Sequence, residues 1–91
     1  MTEANKNTED QIDLKPLTKV QKEVLDYIYE YISDKGYAPT FKEITKALEY
    51  ESDSTPEKHV KALVISGYLI KYPFKSRGIK FTDPAKDLYA K

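Results

Sequence analysis

Ser54, Lys58 and Lys61 recur at i, i+4 and i+7, which lines hydroxyl and ammonium donors along one side of a helix. Such donors suit phosphate oxygens and the acceptor edges of bases, and Glu57 beside them can accept from a cytosine amino group. Val60, Leu63 and Val64 stand at i, i+3 and i+4, so the same helix has an apolar stripe to bury. Ser54 and Thr55 can cap its start, Pro56 suits a first helical position, and Glu57 falls three residues after Ser54 as in a capping box. Gly67 closes it, so the predicted helix runs over about residues 55–66. The plain alternative for its polar side is a solvated face with no partner.

A second group follows. Lys71, Lys75, Ser76, Arg77 and Lys80 interleave with Tyr72, Phe74 and Phe81, and residues 67–82 hold four basic side chains and no acid. Residues 68–72 and 79–82 read as strands and 73–78 as their loop, so Lys75, Ser76 and Arg77 are expected at a hairpin tip. There they would meet phosphates or enter a minor groove; the competing reading makes them solubilising charges on a hairpin whose aromatics pack inward. Phe74 is open between tucking under the loop and meeting a partner.

Little else carries chemistry. The chain has no glycine-rich phosphate loop, no nucleophile elbow and no metal-ligand spacing, so neither an enzyme nor a cofactor or metal is expected. His59 reads as a helix-flank residue. With no cysteine, a polar acidic N-terminus and no apolar run long enough to cross a membrane, the sequence predicts a cytoplasmic protein without membrane contact. Formal net charge is zero, with 15 Lys and Arg against 15 Asp and Glu, so any affinity for a polyanion must come from local distribution.

Earlier segments have to position these groups. Residues 1–16 carry Lys6 and Lys15 against Glu3, Glu9, Asp10 and Asp13 with no apolar period, and read as a disordered arm. Thr18 with Gln21 makes a capping-box pattern ahead of Val20, Val24, Tyr27, Ile28 and Tyr31, an amphipathic helix over 19–35 ending at Gly36. Tyr27 and Tyr31 are expected in the core and Tyr29 outside it. Thr40 and Glu43 repeat the capping pattern before Phe41, Ile44, Ala47 and Leu48, a second helix over 41–48 whose free N-terminal amides, with Lys42, suit a phosphate. No glycine eases the turn from Glu49 to Asp53. Asp83 and Pro84 can open a short helix over 85–89 in the tail, residues 83–91. Three helices followed by a two-stranded β-hairpin give an α+β winged helix-turn-helix over residues 17–82.

At this point the residues form a recognisable set: LTxxQxEVxDxI from Leu17, GYAPTFKEI from Gly36, EKHVKAL from Glu57 and SRGIKF from Ser76. From Leu17 to about Phe81 the chain resembles the N-terminal DNA-binding domain of the LexA repressor family. The resemblance implies a third helix in the DNA major groove, a wing and the start of helix two on phosphates, and base-facing positions at Ser52, Ser54, Thr55, Glu57 and Lys58. Ser52 and Glu57 look like the family's usual residues, whereas Ser54, Thr55 and Lys58 replace its usual Asn, Ala and Glu. The operator is therefore expected to differ from the familiar one. The family's repressors continue into a self-cleaving serine–lysine peptidase domain, and the expectation here is a stand-alone domain without it.

The leading expectation is a small sequence-specific transcription regulator, a repressor by resemblance, whose partner is double-stranded DNA, with a homodimer on a two-fold site in prospect. The alternative is a protein-binding adaptor or anti-repressor on the same scaffold, motivated by the acidic residues Glu49, Glu51, Asp53 and Glu57 and by Tyr50 and Phe74 as exposed aromatics.

Overall fold

A computed structural model describes residues 14–90. The elements run α1 (Lys19–Lys35), α2 (Phe41–Leu48), α3 (Ser54–Ile65), β1 (Leu69–Lys71), β2 (Ile79–Phe81) and α4 (Asp83–Tyr89). This is the winged helix-turn-helix order, with a further helix after the hairpin.

The first two helix starts follow local chemistry. Thr18 accepts from the Gln21 amide at 3.1 Å while the Gln21 side chain accepts from the Thr18 amide, and Thr40 and Glu43 do the same at α2. Gly36 (φ 85°) ends α1 in the left-handed region, and Gly67 (φ 93°) follows α3. After α3 the Tyr68 amide reaches the Leu63 carbonyl (2.9 Å) and the Gly67 amide that of Val64 (3.1 Å), which satisfies two of the last carbonyls.

Helix three starts differently from the expectation. Asp53 at its N-terminus already has helical angles (φ −72°, ψ −13°) and its side chain caps nothing, so Ser54 is drawn inside the helix and no capping box forms with Glu57. Pro56 is accommodated because the first amides of a helix lack partners in any case, and its ring is buried. The turn before α3 has no glycine, and Glu49 takes its left-handed position at φ 61°. A side chain with a Cβ is strained there, so Glu49→Gly is expected to raise stability by about 0.5–1 kcal/mol, read from the midpoint of urea unfolding.

The core lies where α1, α3 and the hairpin converge, around Val24, Leu25, Ile28, Ile44, Val60, Leu63, Leu69, Ile79, Phe81 and Ala85. The strands are antiparallel, with Leu69 opposite Phe81 and Lys71 opposite Ile79. Thr82 caps α4 through the Ala85 amide and donates to the Gly67 carbonyl at 2.7 Å.

Two expectations about the chain ends need correction. Of the arm, residues 1–13 lie outside the described residues, but Leu14 and Lys15 are attached: Leu14 packs on the core, the Lys15 amide bonds the Ser66 carbonyl at 3.0 Å, and the Tyr68 hydroxyl donates to the Lys15 carbonyl. Tyr29 is not exposed. It stacks on Tyr89 of α4 at 4.0 Å between centroids and 11° between planes, and meets Phe81 edge-on. A helix from the tail thereby becomes part of the packing.

Candidate nucleic-acid interface

Helix three presents its two sides as its spacing requires. Pro56, Val60 and Leu63 are buried, while Ser54, Glu57, Lys58 and Lys61 are exposed and Thr55 is half-buried. Ser52, in the preceding turn, is also exposed, and its hydroxyl lies 2.7 Å from that of Ser54. The turn is steadied by the Thr55 amide on the Ser52 carbonyl (3.3 Å) and by the Thr45 hydroxyl on the same carbonyl (3.5 Å). Four of the five base-facing positions implied by resemblance are therefore open to solvent, on a helix whose opposite side is fixed in the core.

The hairpin joins this face through Lys71. A depression of about 180 Å³ is lined by Phe41 of α2, Glu57, Val60 and Lys61 of α3, and Lys71 of β1. The Lys71 ammonium stands 5.8 Å from the centroid of the Phe41 ring, a cation–π distance, and donates to the carbonyls of Tyr72 (2.9 Å) and Lys75 (3.1 Å). One side chain thus links α2 to the loop of the wing, beside the helix-three residues that line the same depression. Lys75 and Ser76 in that loop are exposed, as is Lys42 on α2.

Arg77 is placed otherwise than expected. It does not project from the tip; its guanidinium turns back onto the α1–α2 connection. It donates to both carboxylate oxygens of Glu43 (2.9 and 2.8 Å) and to the Ala38 carbonyl (2.9 Å), and lies over the Tyr37 ring at 4.7 Å. Arg77, the Thr40 amide and the Tyr31 hydroxyl together hold the Glu43 carboxyl down at about 2, and Glu43 in turn holds Arg77 more firmly protonated. Tyr31, read as core, is half-buried and donates to Glu43 at 3.0 Å. The Thr40 hydroxyl is likewise committed, to the Glu43 amide, so Thr40 offers its helix N-terminus more than its side chain.

Charge at the start of α2 follows from this arrangement. A lone carboxylate in the first turn would repel an approaching phosphate. Paired two-to-two with a guanidinium it is neutralised, and the helix N-terminus keeps its partial positive charge.

Three residues were missed or misread from the sequence. Ile65 is 77% exposed and follows Lys58 and Lys61 at i+7 and i+4, a spacing already visible in the sequence. Lys71 was counted only as charge, because the contact that defines it comes from Phe41, thirty residues earlier. Tyr50 was expected on the surface, yet it packs against the core with its ring 6.0 Å from that of His59, which weakens the case for an aromatic protein-binding patch. Among the described residues there is no cluster of His, Cys, Asp and Glu that could hold a metal, and no helix long and apolar enough to cross a membrane.

Comparison with known proteins is consistent with this geometry. Residues 14–78 match the family described as the LexA DNA binding domain. A LexA repressor of Shewanella loihica is 44% identical over 69 residues, covering 76% of this chain and 34% of that protein. A LexA repressor of Enterococcus faecalis is 45% identical over 62 residues, covering 68% of this chain and 30% of that protein. A third, from Anaeromyxobacter dehalogenans, is 44% identical over 71 residues, covering 78% and 31%. The chain spans about a third of the length of these relatives. With the greater part of its residues matched, and with the helices and hairpin arranged as that match requires, the chain belongs to the LexA DNA-binding domain family.

Proposed function

We propose that this chain binds double-stranded DNA as the reading head of a transcriptional repressor. Helix three enters the major groove with Ser52, Ser54, Thr55, Glu57, Lys58 and Lys61 toward bases and flanking phosphates. Thr40 and Lys42, at the start of α2, take a phosphate through backbone amides and an ammonium, and Lys75 and Ser76 of the wing take another. Arg77 serves as a positioning residue that holds the wing against α2. The observation that carries the reading is the continuity of the exposed helix-three flank with the hairpin, through Lys71 beside Phe41 and Lys61. The repressors of the family are the source of the regulatory half of the proposal.

One head reads few base pairs, and two copies on two-fold-related half-sites would supply the missing length. Selection of bound duplexes from a random library at low salt tests the proposal. A short enriched motif is expected, with affinity for it falling steeply as salt rises because phosphate contacts release counterions. Lys58→Ala is expected to relax base preference at one position by about 1–3 kcal/mol while leaving the salt dependence nearly unchanged. If no duplex is retained at low salt, the proposal fails.

A further inference from the structure

Phe74 occupies the tip of the wing loop with its side chain entirely in solvent (103% exposed) and its backbone at φ 64°. Both features oppose holding a phenylalanine there. Water penalises the ring, and the left-handed region penalises any residue with a Cβ, so glycine or asparagine would sit at that position more easily. Residues kept in such a conformation by a surrounding structure that over-determines it gather at sites of function.

The surroundings do over-determine it. The Tyr72 amide bonds the Gly78 carbonyl at 2.8 Å, and the Gly78 amide bonds the Lys75 carbonyl at 3.1 Å. The Lys71 ammonium clamps the Tyr72 and Lys75 carbonyls from one side. Gly78 leaves no room for slack, since a Cβ there would lie 2.9 Å from the Tyr72 oxygen and 3.0 Å from the Lys75 Cβ. The loop is a stiff mount for one exposed ring.

What the ring meets follows from its neighbours. Residues 67–82 hold no carboxylate, and although Arg77 is paired with Glu43, Lys75 and Lys80 stay exposed, which suits a polyanion. Lys71 links the loop to the Phe41 ring of α2, in a depression that Glu57 and Lys61 of helix three also line. With that helix in the major groove, a loop projecting beside it crosses one phosphate strand, and the next groove is the minor one. Apolar side chains entering there part adjacent base pairs and kink the duplex.

We propose that Phe74 is such a wedge, entering the minor groove of the bound duplex and partly unstacking one base step while Lys75 holds the adjoining phosphate. The proposal rests on the DNA reading above. It adds a base step whose deformability, not its hydrogen-bonding edge, contributes to sequence preference.

The test uses the whole chain and a selected duplex with 2-aminopurine placed in turn at each step of the site, with fluorescence, affinity and thermal unfolding read together. Wild type is expected to brighten one position on binding. Phe74→Ala and Phe74→Gly are expected to lose that signal and about tenfold in affinity. Phe74→Leu, which keeps an apolar wedge, should retain most of both. Phe74→Gly should unfold no earlier than wild type, because it relieves the backbone, so its loss of affinity cannot come from poorer folding.

Tight binding by wild type with no brightened position overturns the wedge and leaves the DNA reading standing. So does a Phe74→Ala variant of unchanged affinity, or one whose only change is weaker self-association in sedimentation without DNA. Failure of wild type to bind any duplex removes both proposals together.

Discussion

Replacing Arg77 with alanine is expected to weaken binding to every duplex by about tenfold while leaving base preference intact. The cause is loss of order, not loss of a phosphate contact. In the folded chain the guanidinium is spent on Glu43, Ala38 and Tyr37, and it fixes the wing against the start of α2. Without it the loop must be ordered at the moment of binding. Glu43→Gln separates the two roles by the sign of its effect. Glutamine can still complete the capping box with Thr40, but it no longer offers a charged, two-pronged acceptor to Arg77. If Arg77 positions the wing, Glu43→Gln weakens binding even though it removes a negative charge near the DNA. If Arg77 were a phosphate contact, freeing it from Glu43 would strengthen binding.

The same pair has a pH signature. The Glu43 carboxyl is held at about 2 in the folded chain against an ordinary 4.5, so folding favours its charged form. Its contribution to stability is fully present above about pH 4.5 and is lost as pH falls from there toward 2. The stability gap between wild type and Glu43→Gln should close over that window, as followed by urea unfolding at successive pH values.

Tyr89→Ala is expected to lower stability by about 2–3 kcal/mol, a fall in Tm of roughly 10–20 °C for a domain of this size. The ring lies stacked on Tyr29, meets Phe81 edge-on, and donates its hydroxyl to Asp26. Tyr89→Phe keeps the stack and loses only the hydrogen bond, so it should cost about 1 kcal/mol. Burial, and then Asp26, push the Tyr89 hydroxyl up. Burial also raises Asp26, but Lys22 and Tyr89 outweigh it and the carboxyl ends below its usual range. Truncation before residue 83 would therefore strip a packed helix, with Ala85 fully buried in it.

The legible parts of the sequence were those decided within one or two turns. The Thr18–Gln21 and Thr40–Glu43 pairs, the glycines after α1 and α3, and the alternation of Val60 and Leu63 with Lys58 and Lys61 are all local chemistry, and the structure follows them. Helix three broke the pattern because a good capping residue, Ser54, was preceded by Asp53 in helical angles, and backbone geometry there is set by the turn from Glu49. Arg77 and Tyr29 were misplaced for another reason. The partners that orient them, Glu43 and Tyr89, lie 34 and 60 residues away, and no period in the sequence brings them together. The exposed flank of the candidate site was readable, whereas the clamps that aim the wing were not.

The whole account requires that the helix-three flank and the wing meet one duplex at the same time. Backbone amide shifts, followed as a selected duplex is titrated into labelled protein, measure this directly. The account predicts that shifts concentrate at residues 52–61, at the start of α2 and at 71–76, all saturating together at one stoichiometry. Shifts confined to α1 and α4, or a wing that stays unperturbed while helix three responds, would contradict it.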